Sequence, residues 1–215
     1  MPNWCNNTIQ ITADKATIKR IEQSLNSEND DAGFLDVLYP MPAGLKDTVN
    51  GSENAKPEFQ KKQSEQLIEK YGFDNWYDWR VEHWGTKWNV NECYDTVSVS
   101  NNGESIEFGF DTAWSPPTGA YHNFLSENPD ASLFATYYEG GCDFMGVWDN
   151  GDDRYYEPSK YDSSSKFWTD DEDGQLLDEN FCLVESIADQ EADQAQNEDV
   201  TKFVNGQAVN IGEEA

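Results

Sequence analysis

Residues Gly72 to Trp88 read GFDNWYDWRVEHWGTKW and hold four of the chain's eight tryptophans, Trp76, Trp79, Trp84 and Trp88. Tyr71, Phe73 and Tyr77 lie beside them. Asp74 stands where a carboxylate caps the free amides of a helix start. Trp76, Trp79 (or Arg80) and His83 with Trp84 then recur every three or four residues along one helical face. Gly85 supplies a stop, and Thr86 to Val90 reads as extended. A buried aromatic removes roughly 150–250 Å² from water, so this segment is expected to anchor much of a core. A second reading stays open beside it. Arg80, His83 and the rings of Trp76, Trp79, Trp84 and Trp88, with Trp114 further on, would form an exposed aromatic and cationic ligand surface.

Outward from this stretch the chain alternates strands and helices. Upstream, Pro57 to Lys70 reads as a helix with Phe59, Gln63, Leu67 and Ile68 inward, and Gly44 to Lys56 as loop. Residues 44–90 are therefore expected to be a helical, Trp-rich insertion. Before it, Asn7 to Thr12 alternates as a strand with Ile9 and Ile11 on one face. Asp14 caps a helix carrying Ile18, Ile21 and Leu25. Phe34 to Tyr39 reads as a short apolar strand stopped by Pro40-Met41-Pro42, which would complete half of a split βαβ unit. Downstream, Thr96–Ser100 and Glu104–Phe110 flank Asn101-Asn102-Gly103 as a hairpin. A helix from Thr118 or Gly119 and strands over Ser132–Glu139 and Cys142–Trp148 follow.

Charge divides the chain. Its formal net charge is −28, and the residues to Phe110 carry 18 acids and 10 bases while those from Asp111 carry 24 acids and 4 bases. Such a balance argues against direct nucleic-acid binding, which needs a cationic face to displace counterions, and against anionic membranes. It favours a protein partner with a basic surface. Asp149, Asp152, Asp153, Asp170, Asp171, Glu172, Asp173, Asp178 and Glu179 are the candidate acidic partner-binding surface. Residues 151–215 are read as an acidic, partly ordered extension. It is expected to hold a short strand around Phe181 to Val184, a helix near 184–196 and a tail frayed from about Gly206.

Motifs with their own chemistry are few. Thr169 to Asn180 resembles a calcium loop at Asp171, Asp173 and Gly174, but Thr169 and Asn180 occupy the positions that call for Asp and a bidentate Glu. A solvated acidic loop is the reading preferred. Pro2 as an N-terminal amine base, and His122 paired with Cys142 or Cys93, lack any supporting signature. Cys5, Cys93, Cys142 and Cys182 are too dispersed for a zinc pattern or a disulfide framework. No metal and no cofactor are expected. The start of the chain has no basic and apolar leader, so a reduced cytoplasmic protein is expected.

Five strings occur in order: Met1-Pro2-Asn3-Trp4-Cys5-Asn6-Asn7, Tyr39-Pro40-Met41-Pro42, Asn75-Trp76-Tyr77-Asp78-Trp79-Arg80, Trp84-Gly85-Thr86-Lys87-Trp88 and Phe110-Asp111-Thr112-Ala113-Trp114-Ser115-Pro116-Pro117. Together they resemble the YubB ferredoxin-like family of bacteriophages and conjugative plasmids, over about residues 1–150. The resemblance implies an α+β, ferredoxin-like sandwich with a βαββαβ core and carries over no catalytic residues. The leading functional expectation is a non-enzymatic phage or plasmid accessory protein in the cytoplasm of a bacterial host. It would bind a host protein and inhibit a nucleic-acid-directed defence or replication factor through an acidic, nucleic-acid-mimicking surface. The alternative is binding of single-stranded nucleic acid, on Phe108, Phe110 and Trp114, or of a small ligand such as a nucleotide in the tryptophan region. Oligomeric state is left open.

Overall fold

The computed structural model describes residues 3–25, 27, 32–49, 58–94 and 96–195. The chain divides into two compact units, Met1–Tyr156 and Glu157–Ala215. The first is a mixed α+β unit built on an open, wholly antiparallel six-stranded sheet. Its strands are β1 (Trp4–Thr12), β2 (Ser98–Val99), β3 (Ser105–Ala113), β4 (Ser132–Glu139), β5 (Phe144–Asp149) and β6 (Asp152–Tyr156), in the spatial order β2-β3-β1-β4-β5-β6.

Alternation along β1 decides which face is buried. Cys5, Asn7, Ile9 and Ile11 are buried, while Trp4, Asn6, Thr8, Gln10 and Thr12 point the other way. In β3 the buried face repeats as Ile106, Phe108, Phe110 and Thr112. Helices α1 (Lys15–Ser24), α2 (Phe34–Leu38), α4 (Trp76–Trp84) and α5 (Thr118–Glu127) contribute Ile18, Ile21, Phe34, Leu35, Trp79, Trp84, Tyr121 and Phe124 to the same core. Asp14 caps α1 as expected, accepting from Ala16 and Thr17 amides at 2.9 and 3.1 Å.

Several expectations are corrected. Phe34 to Tyr39 is not a strand, because α2 occupies it. The helix start is satisfied from far along the chain: Phe34 N–H donates to the Val90 carbonyl at 2.8 Å and Leu35 N–H to Asn89 Oδ1 at 2.9 Å. Nothing local in a five-residue apolar run reveals those acceptors. Helix α3 (Glu58–Tyr71) forms as read, but its inward positions are Ser64 and Leu67, while Gln63 and Ile68 are exposed. The reading of Phe59 falls outside the described side chains. The cap of α4 is Asn75 rather than Asp74. Asn75 Oδ1 accepts from Asp78 N–H at 2.9 Å, and Asp74 instead receives Ser64 Oγ–H.

The hairpin β5–β6 turns on Asn150 and Gly151, both at positive φ (49° and 102°), the backbone of a tight two-residue turn. Strand β6 was missed, since Asp152-Asp153-Arg154 does not read as β. In the second unit, α6 (Phe167–Asp170) and α7 (Glu172–Phe181) replace the expected acidic loop at 169–180. Asp171 is the N-cap of α7, bonded to the amides of Asp173 and Gly174. The strand expected at Phe181–Val184 is instead the end of α7, a left-handed Cys182 (φ 52°) and the start of a helical run over 183–195. Its small core holds Trp168, Leu177 and Leu183, with Tyr161 stacked on Phe167 at 4.0 Å. The tail from Gly206 lies outside the described residues.

Candidate functional site

Register brings the site together. Trp4 opens β1 directly opposite Ala113, the last residue of β3. The chain then turns sharply at Trp114, whose φ of 73° places it in the left-handed region. For a non-glycine residue this costs on the order of 1–2 kcal/mol, and a set of polar contacts holds it. Trp114 N–H donates to the Asn3 carbonyl at 3.0 Å and Thr112 Oγ1 to the Ser115 carbonyl at 2.8 Å. From the other side Ser115 Oγ donates to the Gly85 carbonyl at 2.5 Å and Thr86 Oγ1 to the Ala113 carbonyl at 2.9 Å.

These bonds fix the strand end against the residues that leave α4. Gly85, at φ 91°, closes that helix through its N–H to the Val81 carbonyl. The chain therefore delivers Lys87 and Trp88 beside Trp114. Lys87 Nζ lies 3.8 Å from the Trp88 ring centroid and 4.0 Å from that of Trp114, well inside cation–π range. Trp4 adds a third ring, 5.6 Å from Trp88 and tilted 40° to it. These three rings stay 47 %, 40 % and 40 % exposed for Trp4, Trp88 and Trp114. Large indoles left in water at one spot are an unusual use of apolar surface.

Trp4 and Trp88 are also one wall of a cleft of about 530 Å³. Its other walls are the segment Asn89 to Tyr94 and the β3 residues Asp111 to Ala113. Tyr94 is docked by its hydroxyl, which donates to the Asn7 carbonyl at 2.7 Å, and its ring lies over Gly109, where a Cβ would stand 2.5 Å from a ring carbon. Asp111 is exposed and accepts from Asn6 Nδ2 at 2.7 Å, and Glu92 is exposed on the opposite wall. Burial pushes the Cys93 thiol up to about 11, so it is a poor nucleophile at neutral pH.

The candidate residues of the tryptophan stretch thus separate. Trp79 and Trp84 are core, and Trp84 Nε1 donates to the Tyr39 carbonyl at 2.8 Å. Arg80 is buried against the faces of Trp76 and Trp84, at 5.1 and 4.7 Å from their centroids. His83 stacks on Trp79 at 4.3 Å with planes 6° apart, and its Nδ1 is 2.9 Å from the Trp79 carbonyl. Of that set Trp88 lines the cleft, and Trp114 stays exposed next to Ala113 of its wall. Phe108 and Phe110 are buried in the core, which removes them as a stacking platform for bases. Sequence reading missed Trp4, Lys87, Tyr94 and Asp111. Strand parity was the available signal for Trp4, an even residue in a strand whose odd residues are buried.

The acidic candidates fall in different places. Asp149, Asp152 and Asp153 belong to the first unit, and the remaining six to the second. Several have local partners: Asp152 pairs with Arg154 at 3.1 Å, Asp153 accepts from Tyr137 OH at 2.7 Å, and Asp178 accepts from Val184 N–H at 2.8 Å. Asp170 and Glu172 are exposed around the Asp171 cap. Among the described residues no group of three or more His, Cys, Asp or Glu side chains is placed to hold a metal ion. His122 packs edge-on to Trp148; Pro2 lies outside the described residues. No described helix is long and apolar enough to cross a membrane.

No family model and no curated protein matches the chain. Among solved structures it is similar to the crystal structure of protein api92 from Yersinia pseudotuberculosis, of family-model DUF1281. That likeness covers 73% of this chain and 98% of the other, at 12% sequence identity and a TM-score of 0.35.

Proposed function

We propose that the chain is a non-enzymatic accessory protein with a ferredoxin-like core, and that it binds a host protein bearing a basic surface. The observation that carries this reading is the cleft: Trp4 and Trp88 line it beside Asp111 and Glu92, with Trp114 exposed next to its wall, in a chain of net charge −28. Aromatic anchors set in a cleft are the usual energetic centre of a protein interface, and the charge selects a cationic partner. The spatial order β2-β3-β1-β4, with α1 after β1 and α5 between β3 and β4, supports the ferredoxin-like assignment, with the β5–β6 hairpin as an added edge. The YubB resemblance fits the same place, because three of the five strings that carry it, around Trp4, Lys87 and Trp114, line the cleft or its rim.

In the stronger form of the reading, carboxylates stand where phosphates would stand on a nucleic-acid-binding partner, and the exposed acids around Asp171 offer further carboxylates on the second unit. A second reading is favoured by the exposed indole faces themselves, which suit the bases of a nucleotide or a single strand. The carboxylates on the cleft walls oppose it.

The test is capture from host lysate by the immobilised full-length protein at low and high salt. Two variants run beside it: one with Trp4, Trp88 and Trp114 replaced by alanine, one with Asp170, Asp171, Glu172 and Asp173 neutralised. A basic nucleic-acid-binding protein held by the parent and lost with the tryptophans supports the cleft. Loss with the acids as well supports mimicry. A parent that captures no basic protein, yet shifts a single-stranded oligonucleotide, overturns the proposal in favour of the second reading.

A further inference from the structure

Lys87 occupies an unusual position for a solvent-reachable lysine. Its ammonium lies close over two indoles at once, each of them 40 % exposed. The backbone on both sides of the pair is pinned, by the Thr86 hydroxyl to the Ala113 carbonyl and by the contacts that hold Trp114 at positive φ. The rings are thus presented by rigid backbone, whereas Lys87 reaches them on a flexible four-carbon stem. Two indole faces held by pinned backbone and sharing one cation have the form of a filled binding slot.

We propose that Trp88 and Trp114 form a recognition slot for a cationic side chain, an arginine of a basic partner segment, and that Lys87 is the internal occupant which that side chain displaces. The inference rests on the reading above and names the group that the cleft recognises. Arginine suits the slot better than lysine does, because its planar guanidinium stacks on indoles and is less strongly hydrated. Asp111 and Glu92 on the cleft walls supply charge complementarity for basic residues flanking the arginine. A phosphate-bearing ligand would meet the same carboxylates as a cost.

The experiment titrates full-length protein with N-acetyl-arginine-N-methylamide and follows the indole N–H signals of Trp88 and Trp114 by NMR. The proteins are the parent, Lys87→Ala, Lys61→Ala (the same loss of charge at an exposed site on α3) and Lys87→Ala combined with Trp88→Ala. Removing the internal occupant frees two cation–π faces, so K87A is expected to bind roughly fivefold or more tightly than the parent. K61A should match the parent, and the W88A combination should lose the gain. Thermal melting of each protein confirms that the fold is retained, and Trp88→Phe, which keeps an aromatic face, should retain part of the binding. Equal tightening by K87A and K61A, or a gain that survives removal of Trp88, overturns the slot. If a basic host protein binds the parent and every variant alike, the partner reading stands and the slot falls. If no basic protein binds but the arginine probe behaves as predicted, the slot stands and the partner reading falls.

Discussion

Asn7 Nδ2 donates to Thr112 Oγ1 at 2.9 Å, linking β1 to β3 with both side chains buried. The same amide also donates to the Cys5 carbonyl at 2.8 Å, and Thr112 passes the network on to the Ser115 carbonyl. A polar pair in this position ties the edge of the core to the turn that presents Trp114. Thr112→Val keeps the shape but removes the hydroxyl that accepts from Asn7 and donates to the Ser115 carbonyl, and should cost about 1–3 kcal/mol in urea denaturation. The double variant with Asn7→Leu should cost less than the sum of the two single changes, because each single change already removes the one bond the two side chains share.

Strain at Trp114 is separable from its ring. At φ 73° glycine pays no Cβ penalty and alanine does. Trp114→Gly should therefore be about 1 kcal/mol more stable than Trp114→Ala, while both lose the indole equally. Equal stability of the two would show that the left-handed backbone is not maintained in solution.

Gly174 sits where α6 and α7 meet, and a Cβ there would lie 1.9 Å from the Phe167 carbonyl oxygen. Gly174→Ala should destabilise the second unit by about 1–3 kcal/mol through overpacking. Limited proteolysis should then cut between 157 and 195 faster than in the parent, while cleavage within the first unit stays unchanged.

Thiol chemistry gives a pH prediction. Burial pushes Cys5 up to about 12 from an ordinary 9.0, and Cys93 up to about 11. Folding thus holds both protons more tightly than the unfolded chain does. Their contribution is fully present below pH 9 and is lost as pH rises from 9 toward 12, with a slope of up to about 1.4 kcal/mol per pH unit for each group. Cys5→Ala should flatten the alkaline loss in denaturant titrations. At pH 8 iodoacetamide should reach exposed Cys142 and Cys182 before Cys5 and Cys93.

The sequence reported local structure well and long-range structure poorly. Asp14 announced α1, Gly85 announced the end of α4, and Asn101-Asn102-Gly103 announced the β2–β3 hairpin, because each signal acts through backbone within a few residues. Phe34 to Leu38 was misread because the groups that make it helical, Asn89 and Val90, lie more than fifty positions away. The stretch Thr169 to Asn180, read as a solvated acidic loop, is instead largely helical because Asp171 caps α7, and an aspartate in an acidic run does not distinguish a cap from a solvated side chain. The cleft was the least visible feature. Trp88 and Trp114 were both candidates, but their meeting with Trp4 depends on the register Trp4 to Ala113, which no local pattern encodes.

A basic partner that docks on the exposed tryptophans leaves the buried ones untouched. Seven of the eight indoles, three exposed and four buried, report on this at once, through their N–H signals in a titration of full-length protein with a captured basic host protein. Shifts are expected at Trp4, Trp88 and Trp114, and none at the buried Trp79, Trp84, Trp148 and Trp168. Binding that leaves those three signals in place would contradict docking on the exposed tryptophans.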